Sequence, residues 1–230
     1  MGNKSFNNYL WWLYKNQVMK KLLILISFIL VTQFTIGQQY FHANNGTVIP
    51  NAAAPTYATW NPADKGAGVT LSGSNLIATF GGASNGVRST IGKSSGKWFC
   101  ELKLTSYDNA NQCFGIALSS ASLTDIVFAV NDTWMLYGSV WDKVHNTVFD
   151  SYYTGSAALN TVVGIAVDMD AGTIRFYIDG VDVGQAYSGI TGTVYIYCAD
   201  FSNLNAVTAN FGASAFEYSV PGGYNSGWYN

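Results

Sequence analysis

Residues 161–178 read TVVGIAVDMDAGTIRFYI, two runs rich in β-branched and aromatic residues on either side of a short polar break. The first run extends from Thr161 to Asp168, and the second from Thr173 to Ile178. The break, residues 169–172, contains the Asp and Gly that tight turns favour. This pattern predicts a β-hairpin.

Short strands are predicted on both sides of this hairpin. Residues 98–104 alternate, with Trp98, Cys100, Leu102 and Leu104 on one face and Phe99, Glu101 and Lys103 on the other. Further candidates are residues 69–71, 76–80, 113–118, 127–130, 194–198 and 207–211. No window after residue 37 has a helical period with caps. The sequence therefore predicts one all-β domain over residues 60–230, an antiparallel sandwich or barrel with a core of its own.

The composition excludes several classes of protein. The 230 residues include 11 basic and 13 acidic side chains, so only 10% are charged, while 15% are aromatic. Intrinsically disordered chains have few aromatic residues and high net charge, and helical bundles are rich in Glu, Lys, Arg and Leu. The isoelectric point near 5.5 argues against binding of nucleic acid through its phosphates.

The first 37 residues differ from the rest of the chain, because they hold four lysines and no acidic residue. A basic start at Met19 is followed by an apolar stretch over residues 22–36, and Thr35 and Gly37 are small enough to precede a cleavage site at Gln38. These features predict a secretory signal peptide, with residues 1–18 preceding the true start. We therefore expect a secreted, cell-surface or periplasmic protein.

An uncleaved N-terminal anchor is the alternative. The apolar stretch is short for a membrane span of about 20 residues, but the aromatic residues at positions 9–14 suit a membrane interface. Membrane contact is expected only in that case. Residues 38–59 contain Pro50 and Pro55 and no sustained period, so they are predicted to be a linker or a first edge segment.

An ordered set of short motifs resembles the SPRY domain family. Gly96-Lys-Trp-Phe-Cys-Glu101 and Phe114-Gly-Ile-Ala117 are similar to two of its strands, and the tyrosine–glycine at 137–138 precedes a lysine–x–histidine–asparagine at 143–146. The hairpin 163–180 and the segment 207–212 complete the set, with Asp179-Gly180 where the family usually has Asn-Gly. The resemblance covers about residues 60–228, and its two ends are similar to phage and bacterial members.

The resemblance implies a bent sandwich of two antiparallel sheets, concanavalin-like in architecture. It also implies a non-enzymatic module that binds a protein or peptide through loops at one end of the sandwich. A carbohydrate-binding, lectin-like or phage-derived adhesion module is the alternative.

The sequence contains no convincing catalytic or metal-binding motif. The sequence has no nucleophile motif such as Gly-x-Ser-x-Gly that could form a catalytic triad with His145. A catalytic thiol–histidine pair is disfavoured because the cysteines lie in apolar runs. Asp168-x-Asp170-x-Gly172 departs from a calcium loop at positions 5, 6 and 12. Turn aspartates that bond their own backbone are therefore expected, with a weak surface calcium site as the alternative. We expect no catalytic residue, no cofactor and no resident metal.

The cysteines at positions 100, 113 and 198 are predicted to be buried apolar side chains. None forms a Cys-x-x-Cys pair, so zinc binding and thioredoxin-like chemistry have no support. A single disulfide between two of the three cysteines after export is the alternative, and the sequence does not assign which two would pair.

The ligand is expected to contact the predicted loops 105–112, 131–145 and 199–206, and the candidate residues lie in the first two of these loops and in the segment 151–154. Large aromatic side chains with a polar atom suit binding sites, although about half of these are expected to fill the ends of the sandwich instead. The candidates are Tyr107, Asp108, Asn109, Asn111, Trp134, Tyr137, Trp141 and Tyr152. The carbohydrate alternative relies on Asp108, Asn109 and Asn111 together with the same aromatic residues.

Overall fold

A computed structural model of the chain describes residues 53–82, 84–108, 111–124, 132–201 and 205–230. In chain order its strands are β1 Trp60–Lys65, β2 Val69–Ser72, β3 Ile77–Phe80, β4 Asn85–Lys93, β5 Lys97–Ser106, β6 Gln112–Leu118, β7 Thr133–Tyr137, β8 Asp142–His145, β9 Val148–Asp150, β10 Val162–Asp168, β11 Thr173–Ile178, β12 Val181–Tyr187, β13 Val194–Asp200 and β14 Ala206–Asn210. A membrane-spanning helix is absent from these ranges. The predicted leader (residues 1–37) and the candidate strand 127–130 lie outside the described residues.

The strands form two seven-stranded antiparallel sheets. The first has the order β1-β4-β13-β6-β7-β8-β9, and the second has the order β12-β11-β10-β5-β14-β3-β2. The main hydrophobic core joins the two inner faces, with Phe114 and Ile116 from the first sheet and Leu102 and Ile165 from the second. The predicted all-β sandwich is thus confirmed.

The predicted hairpin at 161–178 is confirmed as β10 and β11. Their register runs from Val163 opposite Ile178 to Asp168 opposite Thr173. Gly172 in the turn has φ 62°, and a Cβ there would lie 2.6 Å from the carbonyl oxygen of Ile190. Both the backbone conformation and the available space therefore require glycine at this position.

The alternation predicted for residues 98–104 is also confirmed, but both faces of β5 are buried. Cys100, Leu102 and Leu104 enter the main core. On the other face, Phe99 is covered by the ring of Phe216, with centroids 5.1 Å apart. Glu101 accepts hydrogen bonds of 2.8 and 2.9 Å from two backbone amides of the C-terminal segment, those of Glu217 and Tyr218. Burial raises the pKa of Glu101 in spite of these two bonds.

Strand β4 is central in the first sheet although its sequence, NGVRSTIGK, has no strand-like alternation. Its buried Arg88 donates to both carboxylate oxygens of Asp64, at 2.8 and 2.7 Å, and to the carbonyl oxygens of Leu118 and Ala121. Buried Ser89 accepts from the amide of Ile196. These partners satisfy polar groups that would otherwise be costly to bury.

Candidate functional site

Four connections meet at one end of the sandwich. Their described residues are 107, 108 and 111 between β5 and β6, 138–141 between β7 and β8, 151–161 between β9 and β10, and 201 and 205 between β13 and β14. The amide of Asp108 donates to Oδ1 of Asn205 at 2.8 Å, and the amide of Phe201 donates to the carbonyl of Asn111 at 3.3 Å. The amide of Ala157 donates to the carbonyl of Gly138 at 2.6 Å. We refer to these four connections as the loop end.

Buried amide side chains hold the loop end in place. Asn205 and Gln112 have no exposed surface, and Gln112 donates through Nε2 to the carbonyl of Ala199. At the start of β4, Asn85 joins two further connections, because it accepts from the amide of Gly68 at 3.0 Å and donates to the carbonyl of Gly82 at 3.1 Å. Because buried polar groups lose much free energy when they lack partners, these bonds restrict the conformations available to the loops.

The structure brings several of the predicted site residues together at the loop end. Tyr107 is 41% exposed, and Asp108 beside it is also exposed. The hydroxyl of Tyr137 donates to Oδ1 of Asn111 at 2.6 Å. Burial raises the pKa of Tyr137, with smaller effects from nearby groups. Asn109 lies outside the described residues.

Trp134 and Trp141 are among the aromatic residues that fill the sandwich, the alternative that the sequence left open. The segment 131–145, interpreted as a loop, contains β7 and β8. Trp134 lies on β7, packs against the main core and stacks on His145 with centroids 4.9 Å apart. Trp141 is only 2% exposed and belongs to the core. Alternate side chains of β7 face the core, which explains why Trp134 points inward. Trp141 lies in the turn between β7 and β8.

Tyr152 is held between the edges of the two sheets. Its hydroxyl donates to the carbonyl of Gly184 on β12, and its ring packs edge-on against Phe176. Burial raises the pKa of Tyr152 to about 12, so the phenol stays protonated and keeps this donor bond at neutral pH. Part of the same residue lines an open surface cavity.

This cavity lies within the loop end and measures about 600 Å³. Its walls are Val140, Asp142, Ser151, Tyr152, Tyr153, Thr154 and Gly155. Val140 and Tyr153 are 48% and 44% exposed. Both were missed as site residues, although Tyr153 follows the predicted Tyr152 directly. Nothing in the sequence places residues 140–142 against residues 151–155.

Exposed apolar side chains are concentrated in this region. The described residues include eight large hydrophobic side chains that are exposed. Half of them lie on the loop end, namely Tyr107, Val140, Tyr153 and Leu159. Phe149 lies on β9, the edge strand that leads into the third loop, and packs against Tyr137 with centroids 5.7 Å apart.

The residues considered for catalysis or metal binding have structural partners. Nδ1 of His145 is 2.6 Å from the carbonyl oxygen of Thr133. Asp168 accepts from the amides of Asp170 and Ala171, which confirms the predicted turn aspartate. In the described ranges, no group of three His, Cys, Asp or Glu side chains could hold a metal ion.

The three cysteines are free and buried, as predicted for apolar side chains, so none of them forms the disulfide that the sequence left open. Burial raises the pKa of each thiol well above its ordinary value. A thiol held in the protonated form is a poor nucleophile.

Comparisons with known proteins agree with this architecture. The SPRY domain family model matches residues 97–214. An Arabidopsis thaliana protein, E3 ubiquitin-protein ligase RKP, is 30% identical over 136 residues, which are 55% of this chain and 10% of the ligase. The chain therefore spans about a tenth of the length of that relative.

Three solved structures share the fold at low sequence identity. The SPRY domain of human HERC1 has a TM-score of 0.57 at 16% identity, and the match covers 65% of this chain and 96% of the HERC1 domain. The TRIM65 PSpry domain has a TM-score of 0.55 at 13% identity, and the match covers 67% of this chain and 92% of the TRIM65 chain. The stonustoxin structure has a TM-score of 0.56 at 17% identity, with coverage of 67% and 27%.

Proposed function

The chain belongs to the SPRY domain family, and on that premise we propose that it is a non-enzymatic module that binds a protein or peptide at the loop end. SPRY domains generally mediate contacts between proteins. The observation that carries the proposal is the group of exposed apolar side chains on loops that backbone hydrogen bonds and the buried side chain of Asn205 hold in place. A rigid surface binds with a smaller loss of conformational entropy than a mobile one.

Tyr107 and Tyr153 are the anchors that this surface offers. A tyrosine buries about 200 Å² in an interface. The 44% exposure of Tyr153 therefore leaves roughly 90 Å² to cover, which is worth about 2 kcal/mol at about 25 cal/mol per Å². Two such anchors can supply a substantial part of the affinity of a peptide complex.

Site-specific photo-crosslinking tests the proposal. A benzophenone amino acid replaces Tyr107 or Tyr153 in the full chain, and the control replaces Tyr195, which lies at the opposite end of the first sheet beside Gly92. We expect both loop-end positions to capture the same protein from lysate and envelope fractions, and the control to capture none. Equal capture at all three positions, or no protein adduct from either loop-end position, contradicts the proposal.

We further propose that the protein is exported, and that residues 38–230 form its mature chain. The basic, apolar and small-residue pattern of residues 19–37 supports this, and the motifs at the two ends of the domain favour a bacterial or phage origin. N-terminal sequencing of the protein from its native host tests the proposal. A mature chain that begins at Gln38 is expected, whereas an intact leader on a membrane-bound protein supports the anchor.

Carbohydrate binding is the second candidate function, and the cavity favours it. An exposed ring, that of Tyr153, lies there beside the Asp142 carboxylate and the hydroxyl groups of Ser151 and Thr154. A glycan array distinguishes the two candidates. Binding to a glycan that Tyr153→Ala abolishes, without any protein adduct in the crosslinking experiment, favours the carbohydrate.

A further inference from the structure

The cavity within the loop end is formed by two segments that are held together through the backbone. Val140 and Asp142 come from the turn before β8 and its first residue, and residues 151–155 come from the loop after β9. The amide of Tyr153 donates to the carbonyl oxygen of Trp141 at 3.2 Å. Because the Trp141 side chain is buried in the core, this hydrogen bond holds the backbone of Tyr153 against the sandwich.

The Asp142 carboxylate in this cavity is not paired within the described part of the chain. No cation lies within ion-pair distance of it there, and it accepts no hydrogen bond. On β9, the exposed Asp150 also lacks an ion pair among the described residues. The cavity wall therefore offers a carboxylate without an ion-pair partner among the described residues.

The basic side chains of the described residues have partners elsewhere. Four of them form ion pairs with carboxylates, namely Arg88, Lys97, Lys103 and Arg175. Lys65 and Lys93 donate to backbone carbonyl oxygens. Lys143 lies opposite Asp150 in the strand register, but its ammonium is directed toward the ring of Tyr187, 5.7 Å away.

The remaining walls of the cavity suit a planar cation. The hydroxyls of Ser151 and Thr154 are acceptors with no hydrogen bond among the described residues. The exposed ring of Tyr153 offers a face for cation–π stacking, and Val140 offers an aliphatic wall for a methylene chain. A guanidinium can stack on a ring and bind a carboxylate with two N–H groups at once, which an ammonium does not do.

We propose that this cavity receives an arginine side chain of the bound protein, with the guanidinium on Asp142 and stacked on Tyr153. The proposal rests on the proposed function and narrows the ligand to a peptide segment with an arginine. An apolar neighbour of that arginine can contact Phe149, which lies two residues before Ser151. Hydrogen bonds to a charged group typically contribute enough to change the affinity roughly 10- to 100-fold.

A random octapeptide library displayed on phage, selected on the full chain, tests the proposal. We expect arginine to be enriched at one position next to an apolar residue. The selected peptide is then synthesised with arginine and with citrulline, its neutral isostere, and titrated against wild type and Asp142→Asn. The arginine peptide should bind Asp142→Asn roughly 10- to 100-fold more weakly than wild type, and the citrulline peptide should bind the two proteins equally.

Asp132→Asn is the control for charge, because it removes the same charge next to the other end of β7, where the Asp132 carboxylate accepts a hydrogen bond from the Ser120 hydroxyl. It should change the affinity less than threefold. Since the Asp142 side chain has no partner among the described residues, thermal unfolding of Asp142→Asn should match that of wild type, so a loss of binding will not reflect unfolding.

The outcomes separate the two proposals. If the selected peptides lack a basic residue but lose affinity in Tyr153→Ala, the arginine site is wrong and binding at the loop end stands. An equal effect of Asp142→Asn on both peptides also refutes the arginine site. If no peptide is selected, the arginine site is refuted, and if the selected peptides bind the Tyr107→Ala, Tyr153→Ala double variant as well as wild type, the proposed function itself fails.

Discussion

Replacing Trp141 by alanine shows whether this residue stabilises the core or binds the ligand. The indole is 2% exposed, and a Cβ added to Gly155 would lie 3.4 Å from its ring. Tyr153, an aromatic residue of the cavity wall, is 44% exposed. We expect Trp141→Ala to lower the free energy of unfolding strongly, and Tyr153→Ala to leave it nearly unchanged.

The magnitude follows from the buried area. A tryptophan buries up to about 250 Å², or about 6 kcal/mol at about 25 cal/mol per Å², which is an upper bound because the unfolded chain is already partly compact. Truncations of this kind typically cost about 3–5 kcal/mol. The backbone of Trp141 has φ 55°, a conformation in which alanine is strained as well, so the difference reports burial. Tyr153→Ala should change stability by less than about 0.5 kcal/mol.

Urea denaturation, followed by far-UV circular dichroism, measures the free energy of unfolding of both variants, and thermal denaturation followed in the same way measures their melting temperatures. For a domain of this size, about 1 kcal/mol corresponds to roughly 2–4 °C, so Trp141→Ala should melt roughly 6–20 °C below wild type. If Trp141→Ala is as stable as wild type to within about 1 kcal/mol and yet loses its partner, Trp141 is a ligand anchor and its assignment to the core is refuted.

Arg88→Met should lower the free energy of unfolding by about 3 kcal/mol, because it leaves the Asp64 carboxylate and two carbonyl groups without their donor; a urea titration giving less than about 1 kcal/mol would contradict this. Burial acts to raise the pKa of Asp168, but the hydrogen bond from Lys97 and two backbone amides outweigh it and hold that pKa below its ordinary value. Because the carboxyl is more acidic in the folded protein, its stabilisation is complete above about pH 4 and is lost on acidification below that; Asp168→Asn should make urea titrations between pH 3 and 6 less dependent on pH, and an unchanged slope refutes the assignment. No thiol of the native protein should react rapidly with Ellman's reagent at pH 8, since all three cysteines are buried, and three should react in guanidinium chloride; a fast-reacting native thiol would be inconsistent with this burial.

The strands that the sequence predicted well are those whose pattern is local. In the hairpin of β10 and β11, each run is continuous and the turn residues lie between them. In β5, the alternation of Cys100, Leu102 and Leu104 is visible within seven residues. Such patterns reflect the period of two that a strand imposes on its side chains, so they need no knowledge of distant residues.

The central strand β4 was missed because the partners that permit its burial are distant in sequence. Arg88 is buried through Asp64, 24 residues before it, and through Ala121, 33 residues after it. In isolation, arginine and serine indicate a solvated segment. Only the assembled sheet shows that these polar groups are satisfied.

The sequence by itself determined an antiparallel β-sandwich of the SPRY family, since turn chemistry, alternation and ordered motifs are local properties. The tertiary structure decided which aromatic residues are available to a ligand. Trp141 and Tyr153 both belong to short aromatic segments, yet one fills the core and the other remains exposed. The loop end itself joins Asp108 to Asn205 across 97 residues, and the cavity joins two separate segments. Such surfaces exist only after the strands are paired, because pairing sets which loops lie together and which side of each strand faces water.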